Sequence, residues 1–190
     1  MKLYHASNVP NIETLIPHVS NHGKPLTYFS SKRENTLVYL SNAVEKFCKE
    51  NGFDNNGKWY KWASYGFTKD GILRLEEYYE NATELTYKGV AGYIYEVESD
   101  DNFSPLEGIP YAYVTDKEVK VIRAEYIPDA LEELKRCEKE GKIIITKYSD
   151  NTPKMLDWIK KTITKEYENV ADKPDYRFFL ENVFDFLKAK

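Results

Sequence analysis

Residues 26–48 read LTYFSSKRENTLVYLSNAVEKFC, and this stretch predicts a strand that leads directly into a helix. The segment 26–30 is rich in aromatic and β-branched residues, as is typical of strands. Ser31 and Glu34 have the spacing of a capping box, and apolar residues recur at helical intervals after them until Gly52, the residue type that commonly ends a helix. We therefore expect one strand over 26–30 and one helix from Ser31 to Gly52.

Segments on either side of this junction predict the other strands of a sheet, because they alternate or are rich in aromatic residues. Asp70-Gly71 is a strong hairpin signal, so the segments that flank it should form two antiparallel strands. The segment 112–123 predicts one strand or a pair of strands. The remaining predicted strands are 2–6, 58–68, 72–79, 90–98 and 142–148.

Three further helical regions are predicted outside the first junction. Asp129 opens a helix, Glu132 completes a second capping box and Gly141 ends that helix. A short helix is expected near 80–88. Two amphipathic stretches, 155–167 and 176–187, predict a pair of helices at the end of the chain. Together, the predicted strands and helices indicate an α+β fold.

The composition limits the class of protein. The chain has 190 residues, enough for one domain with its own core, and a formal charge of -4 with both signs interspersed, which argues against a dedicated nucleic-acid surface. No signal peptide or membrane-spanning stretch is recognised, and Cys48 and Cys137 form no CxxC pair, so a cytoplasmic location without a membrane partner is expected. Walker, GxGxxG, GxSxG and HExxH motifs and a metal-binding pattern are absent.

Three residues in the first forty positions form the candidate site: His5 in the first strand, Tyr28 in the second, and Tyr39 eleven residues later. Two rings so placed could bracket a planar heterocycle, and stacking on a base is worth about 1–3 kcal/mol per ring. The alternative is a structural role for each. His5 would then be satisfied at the end of a core strand, Tyr28 would be a core aromatic, and Tyr39, which a helical wheel places away from the apolar stripe, would simply be exposed.

The order His-small-Ser, then Tyr-Phe-Ser-Ser, then a capped helix with a second Tyr resembles the H-Y-Y pattern of the ADP-ribosyltransferase superfamily. It is most similar to the diphtheria-toxin and poly(ADP-ribose)-polymerase branch, in which a split antiparallel sheet with flanking helices surrounds a cleft that holds NAD. The resemblance implies that His5 binds the ribose hydroxyls of NAD and that Tyr28 and Tyr39 sandwich its nicotinamide. It also implies that Ser7 and Ser30 belong to the cofactor site.

The resemblance covers residues 2–148. It implies an ADP-ribosyltransferase-like α+β domain over 1–150, with 151–190 as C-terminal helices packed on the same domain. Ala6 stands where the family usually has Gly, which is a mild departure.

The family also uses an acid on a late strand, which polarises the ribose as nicotinamide leaves. Three residues compete for that role in this chain: Glu107, Asp116 and Glu118. Each has an alternative as an ordinary solvated carboxylate. An acid that shares the cleft with His5 would favour catalysis, whereas three solvent-facing acids would favour binding without turnover.

The resemblance therefore implies an NAD-dependent ADP-ribosyltransferase-like protein that transfers ADP-ribose to an unknown acceptor, which is a protein, a nucleic acid or a small molecule. One alternative is a catalytically inactive module on the same fold that binds NAD or ADP-ribose. Another is a protein-interaction module in which the aromatic surface and the C-terminal helices bind a partner.

Overall fold

A computed structural model of the protein describes residues 1–19, 23–57, 60 and 64–188. It confirms the α+β class, with antiparallel sheets as its core. The strands are β1 (Lys2–Ser7), β2 (Thr14–Leu15), β3 (His18–Val19), β4 (Pro25–Ser30), β5 (Ser64–Phe67), β6 (Leu73–Glu76), β7 (Gly92–Glu98), β8 (Ser104–Pro105), β9 (Ala112–Thr115), β10 (Val119–Lys120), β11 (Arg123–Ile127) and β12 (Ile143–Thr146). The helices are α1 (Ala43–Glu50), α2 (Ala82–Tyr87), α3 (Ala130–Lys139), α4 (Pro153–Glu168) and α5 (Pro174–Val183), with 3₁₀-helices at Arg33–Leu40, Tyr148–Asp150 and Asp185–Leu187.

These elements group into two compact units. The first unit consists of residues 1–41, 67–73 and 87–144, and the second of residues 42–66, 74–86 and 145–190. The C-terminal helices α4 and α5 thus belong to the second unit. No helix among the described residues is long and apolar enough to cross a membrane.

The first unit is built on a sheet with the order β11-β7-β1-β4-β9-β8, and β3 pairs with the first two residues of β4. β1 pairs with β7 over six residues, from Lys2 opposite Glu98 to Ser7 opposite Tyr93. In contrast, β1 meets β4 in the single registered pair Tyr4–Ser30. The registered pairing of β1 with β4 is therefore limited to Tyr4–Ser30, and we call the place where this pairing ends the split between β1 and β4.

Both faces of this sheet are covered within the first unit. Leu3, Phe29, Tyr95 and Val97 pack in a buried cluster with residues of the short β2–β10 pair. The 3₁₀-helix Arg33–Leu40 lies against β1 and β7, and α3 lies against the 3₁₀-helix. The strand–helix junction predicted at 26–40 is therefore part of the core of the first unit.

The single helix predicted from Ser31 to Gly52 is wrong, because the chain forms two helices there. Ser41 is extended, with φ -143° and ψ 144°, and ends the 3₁₀-helix. Asn42 then caps α1 by accepting hydrogen bonds from the Val44 and Glu45 amides. An asparagine side chain competes well for such N-terminal amides, so it starts a new helix rather than continuing the first.

The prediction that Ser31 and Glu34 form a capping box is also wrong. Lys32 occupies the N-cap position of the 3₁₀-helix, and its side chain makes no capping hydrogen bond. The hydroxyl of Ser30 instead accepts a hydrogen bond from the Lys32 amide at 3.0 Å. The hydroxyl that stabilises this turn therefore belongs to Ser30, and the turn precedes the helix.

Other predicted elements are confirmed with changed bounds. The strand predicted over 58–68 is β5, and residues 58, 59 and 61–63 lie outside the described residues. The segment 112–123 holds the two strands β9 and β10 and leads into a third, β11. Asp129 caps α3 by accepting from two amides, as its sequence position predicts.

The second unit combines the helices α1, α4 and α5 with most of the three-stranded sheet β12-β6-β5. A buried carboxylate anchors the start of α5. Asp175 is 2 % exposed and accepts hydrogen bonds from the Asn55 side chain at 3.1 Å, the Asn56 amide at 3.2 Å and the Tyr60 hydroxyl at 3.2 Å. These bonds tie the loop after α1 to α5.

Candidate functional site

His5 lies in β1, next to the split in the sheet, and its ring is half-buried. Its Nδ1 lies 2.9 Å from the backbone carbonyl oxygen of Tyr28 in β4. A carbonyl oxygen only accepts, so Nδ1 must carry the hydrogen and donate it. In the neutral ring Nε2 then has a free lone pair, and the imidazole can accept a hydrogen bond from a hydroxyl group.

Burial lowers the pKa of His5 below its ordinary value of 6.5. The hydrogen bond to the Tyr28 carbonyl opposes this shift, and the nearby His18 imidazole adds to it. The histidine is therefore neutral at pH 7, which is the state that leaves Nε2 as an acceptor. A protonated ring would have donors on both nitrogens.

The two tyrosines of the candidate site lie at the two ends of the strand–helix junction. Tyr28 is half-buried in β4, where it pairs with Val114 of β9. Tyr39 lies in the last turn of the 3₁₀-helix and is 44 % exposed. It is the one exposed residue of that helix. Both residues thus keep solvent-exposed surface.

The two serines of the candidate site both accept hydrogen bonds from the backbone. Ser7 Oγ accepts from the amide of Val9 at 3.2 Å, just after β1 ends. Ser30 Oγ accepts from the Lys32 amide, and Ser30 is 7 % exposed. The structure therefore gives each hydroxyl a local role in turning the chain at the end of its strand.

The three candidate acids are all exposed, and the structure places them in different segments. Glu107 lies in the turn between β8 and β9. Asp116 directly follows β9 and pairs with Lys117 at 3.3 Å. Glu118 lines an open groove of about 270 Å³ together with Glu98.

None of these three acids hydrogen-bonds or forms an ion pair with His5 in the residues that the structure describes. Among them, Asp116 follows Thr115, which pairs with Thr27, the residue before Tyr28. Asp116 therefore lies just beyond the end of β9 that pairs with the start of β4.

Two features of this region were not predicted from the sequence. His18 lies in β3, which pairs with β4, and it is close enough to His5 to affect that residue's pKa. Its position in a loop-like segment between prolines concealed this proximity. Arg33, at the start of the 3₁₀-helix, donates to both oxygens of Glu125 at 2.7 Å and lies 2.6 Å from Glu133.

The described residues include no group of three or more His, Cys, Asp or Glu side chains that could hold a metal ion. Cys48 and Cys137 are buried free thiols in α1 and α3. Comparison of the chain with protein-family models, with curated proteins and with solved structures found no match.

Proposed function

We propose that the first unit binds NAD at the split between β1 and β4. The observation that carries this proposal is the hydrogen bond from His5 Nδ1 to the Tyr28 carbonyl oxygen. It fixes the tautomer of a neutral imidazole next to the split, so that Nε2 is an acceptor for a ribose hydroxyl. The residues that would hold NAD are His5 for the ribose and the rings of Tyr28 and Tyr39 for the nicotinamide.

The exposed acids favour binding over turnover. Loss of nicotinamide from NAD develops positive charge on the ribose, and a carboxylate aimed at that position would stabilise it. Glu107, Asp116 and Glu118 are exposed and make no hydrogen bond to His5 among the described residues. We therefore take an NAD- or ADP-ribose-binding module as the function that the geometry supports best.

Transfer of ADP-ribose to an acceptor is the second candidate, and it depends on Asp116. Of the three acids, this is the one whose strand register connects it to the start of the Tyr28 strand. Transfer predicts release of nicotinamide from NAD, and Asp116→Asn should reduce that release while NAD still binds. Binding without any nicotinamide release would leave the module as the function.

Calorimetric titration of the full chain with NAD tests the proposal, and two substitutions of His5 separate its two ring nitrogens. His5→Asn keeps an N–H near the position of Nδ1 and loses the acceptor at Nε2. His5→Gln extends an amide to the position of Nε2 and loses the donor to Tyr28. If Nε2 accepts from the ribose, His5→Asn should fold normally and bind NAD at least about tenfold more weakly, the loss of roughly one buried hydrogen bond.

Tyr39→Ala provides a second, independent measure, because this residue is exposed and its loss should cost little stability. Loss of a stacking partner should weaken NAD binding by roughly tenfold or more. A wild-type chain that shows no heat of binding and no change in melting temperature with NAD would refute the proposal. So would a His5→Asn variant that binds NAD as tightly as the wild type.

A further inference from the structure

The second unit contains an open groove of about 590 Å³. Residues of α1, of the segment 78–86 and of 179–186 line it, together with Tyr148. Sites for small molecules commonly have volumes of about 300–1,000 Å³, so the groove is large enough for one. None of the candidate NAD-binding residues belongs to it.

Aromatic rings packed edge to face form the apolar wall of the groove. Phe179 meets Phe47 at an interplanar angle of 85° and Tyr79 at 73°. Tyr79 in turn meets Phe184 at 83°, and the ring of Phe184 lies 5.7 Å from that of Phe186. Such packing holds each ring in place, and Phe47 and Phe186 remain half-buried, with surface open to the groove.

The charged residues of the groove are all acidic: Glu50, Glu80 and Asp185, with no Lys, Arg or His among the described residues that line it. Lys46 lies 2.6 Å from Glu50, and Lys188 lies 3.0 Å from Asp185, so these two carboxylates are partly balanced from outside the groove. Glu80 is exposed and has no ion-pair partner among the described residues. Among the described lining residues, Glu80 is therefore the carboxylate that remains open to a cation from outside.

The ring of Phe186, which lines the groove, already attracts an ammonium group of the chain from a residue outside the groove. The Nζ of Lys160, in α4, lies 5.7 Å from the centroid of the Phe186 ring. This distance is within the range of cation–π attraction, in which the negative face of an aromatic ring stabilises a positive charge. Aromatic faces combined with a carboxylate make a setting that favours an organic cation over a neutral molecule of the same shape.

We propose that this groove binds a small soluble organic cation of the quaternary ammonium class. Its alkyl groups would lie against Phe47 and Phe186, and Glu80 would supply the opposite charge. A quaternary ammonium has no N–H donors and is weakly hydrated, so burial against rings costs it less than it costs a primary ammonium. The proposal is independent of NAD binding, since it concerns residues of the second unit alone.

A pair of probes with the same shape and different charge tests this proposal. Choline carries a trimethylammonium group, and 3,3-dimethyl-1-butanol carries a tert-butyl group in its place. Titration of the full chain, followed by chemical-shift changes in the NMR spectrum, should show saturable binding of choline. The neutral alcohol should bind about five- to tenfold more weakly, as expected for a cation at a partly desolvated aromatic site.

Single substitutions with opposite effects on charge sharpen the test. Glu80→Gln should weaken choline binding by about two- to threefold, the effect of one exposed charge. Lys160→Gln should strengthen it, because it removes a positive charge that lies next to the Phe186 ring outside the groove. Glu45→Gln is the matched control, since Glu45 lies on α1 but does not line the groove, and it should bind choline as the wild type does. Phe186→Leu should weaken binding of choline and leave binding of the neutral alcohol nearly unchanged.

Several outcomes would overturn the proposal. One is the absence of saturable choline binding at concentrations up to about 20 mM, well above the millimolar range of weak specific sites. Others are equal affinity for choline and the neutral alcohol, and equal effects of Glu80→Gln and Glu45→Gln. Thermal unfolding of each variant identifies any loss of choline affinity that comes from misfolding. The gain of affinity expected for Lys160→Gln cannot be explained by misfolding.

Discussion

Replacement of Arg33 by methionine is expected to lower the free energy of unfolding by about 2–3 kcal/mol. Arg33 joins the 3₁₀-helix to β11 and α3, because it donates to both oxygens of Glu125 and also pairs with Glu133. Methionine keeps much of the apolar stem of arginine and removes the charge. The measured loss then reports the ion pairs rather than a cavity.

The magnitude follows from how far each partner is exposed. The Arg33 side chain is 20 % exposed, Glu133 is 15 % and Glu125 is 40 %. Hydrogen bonds to charged groups contribute about 1.5–3 kcal/mol when water is largely excluded, and solvent screening reduces the part that comes from Glu125. Glu133 keeps a second partner in Arg136, at 2.6 Å, so its charge is not left unpaired. Because solvent screens Glu125 and because Glu133 keeps a second partner, we expect a loss of unfolding free energy of about 2–3 kcal/mol. Breaking a fully buried pair would cost about 3–5 kcal/mol.

Urea unfolding followed by far-ultraviolet circular dichroism measures this loss. Arg136→Met is the matched control, because Arg136 is 48 % exposed and pairs with residues three and four positions away on the same helix. Such surface pairs contribute about 0–1 kcal/mol. A loss below about 0.5 kcal/mol for Arg33→Met, or a loss no larger than that of Arg136→Met, would refute the reasoning.

The same pair has a defined pH dependence. Hydrogen bonds from Arg136 and Arg33 lower the pKa of Glu133 below its ordinary value of 4.5. A carboxylate whose pKa is lower in the folded state stabilises that state fully above its unfolded pKa, and this contribution is lost as the pH falls through the folded pKa. The difference in stability between wild type and Arg33→Met should therefore shrink below pH 4.5 and be constant near neutrality.

Three further predictions concern both units. Burial lowers the pKa of His5, so this residue is protonated first in the unfolded chain, and the wild type should lose stability as the pH falls below 6.5. His5→Asn should lack this part of the loss, and an equal change in the free energy of urea unfolding between pH 7.5 and 5 for both proteins would contradict the prediction. Asp175→Ala should cost about 2–4 kcal/mol in thermal unfolding, because it removes the buried acceptor of the Tyr60 hydroxyl and of the partly buried donors of Asn55 and Asn56. A loss under about 1 kcal/mol would count against that network. Gly92→Ala should cost about 1–3 kcal/mol, because a Cβ there would lie 2.6 Å from Cδ2 of the buried Leu40, and an unchanged melting temperature would show that this side chain moves freely.

Local signals were sufficient to predict the elements that depend on nearby residues. Asp129 caps α3 because its side chain reaches the amides of Leu131 and Glu132, which are two and three positions away. Asp70-Gly71 predicted a hairpin because Gly71 must adopt a positive φ, which is 75° in the structure. Both depend on short-range geometry that a sequence shows directly.

The helix from Ser31 to Gly52 was not predicted correctly because two local signals compete. Ser31 and Glu34 have the spacing of a capping box, yet Asn42 provides a better cap eleven residues after Ser31 and begins α1 there. Apolar periodicity runs through both helices and does not reveal the extended residue Ser41 between them. A break of this kind is visible only when the asparagine is considered as a cap.

The candidate site was predicted only in part, because the contacts between its residues depend on how distant strands pair. The positions of His5 and Tyr28 in two strands were predicted, but the hydrogen bond between them depends on the single pair Tyr4–Ser30. The proximity of His18 follows from the pairing of β3 with β4. The partners of Arg33 lie 92 and 100 positions along the chain, which no local pattern can show.

The geometry of the 3₁₀-helix links the ion pairs of Arg33 to the candidate ligand site. Side chains three positions apart eclipse one another in a 3₁₀-helix, so Arg33, Thr36 and Tyr39 follow one face. The Thr36 hydroxyl donates to the Arg33 carbonyl at 2.7 Å, and the residues Thr36, Leu37, Val38 and Leu40 are all buried. Tyr39 is therefore held at the surface by its buried neighbours and by the anchor at the other end of the helix. Stability at Arg33 and ligand affinity at Tyr39 should for this reason depend on the same short helix.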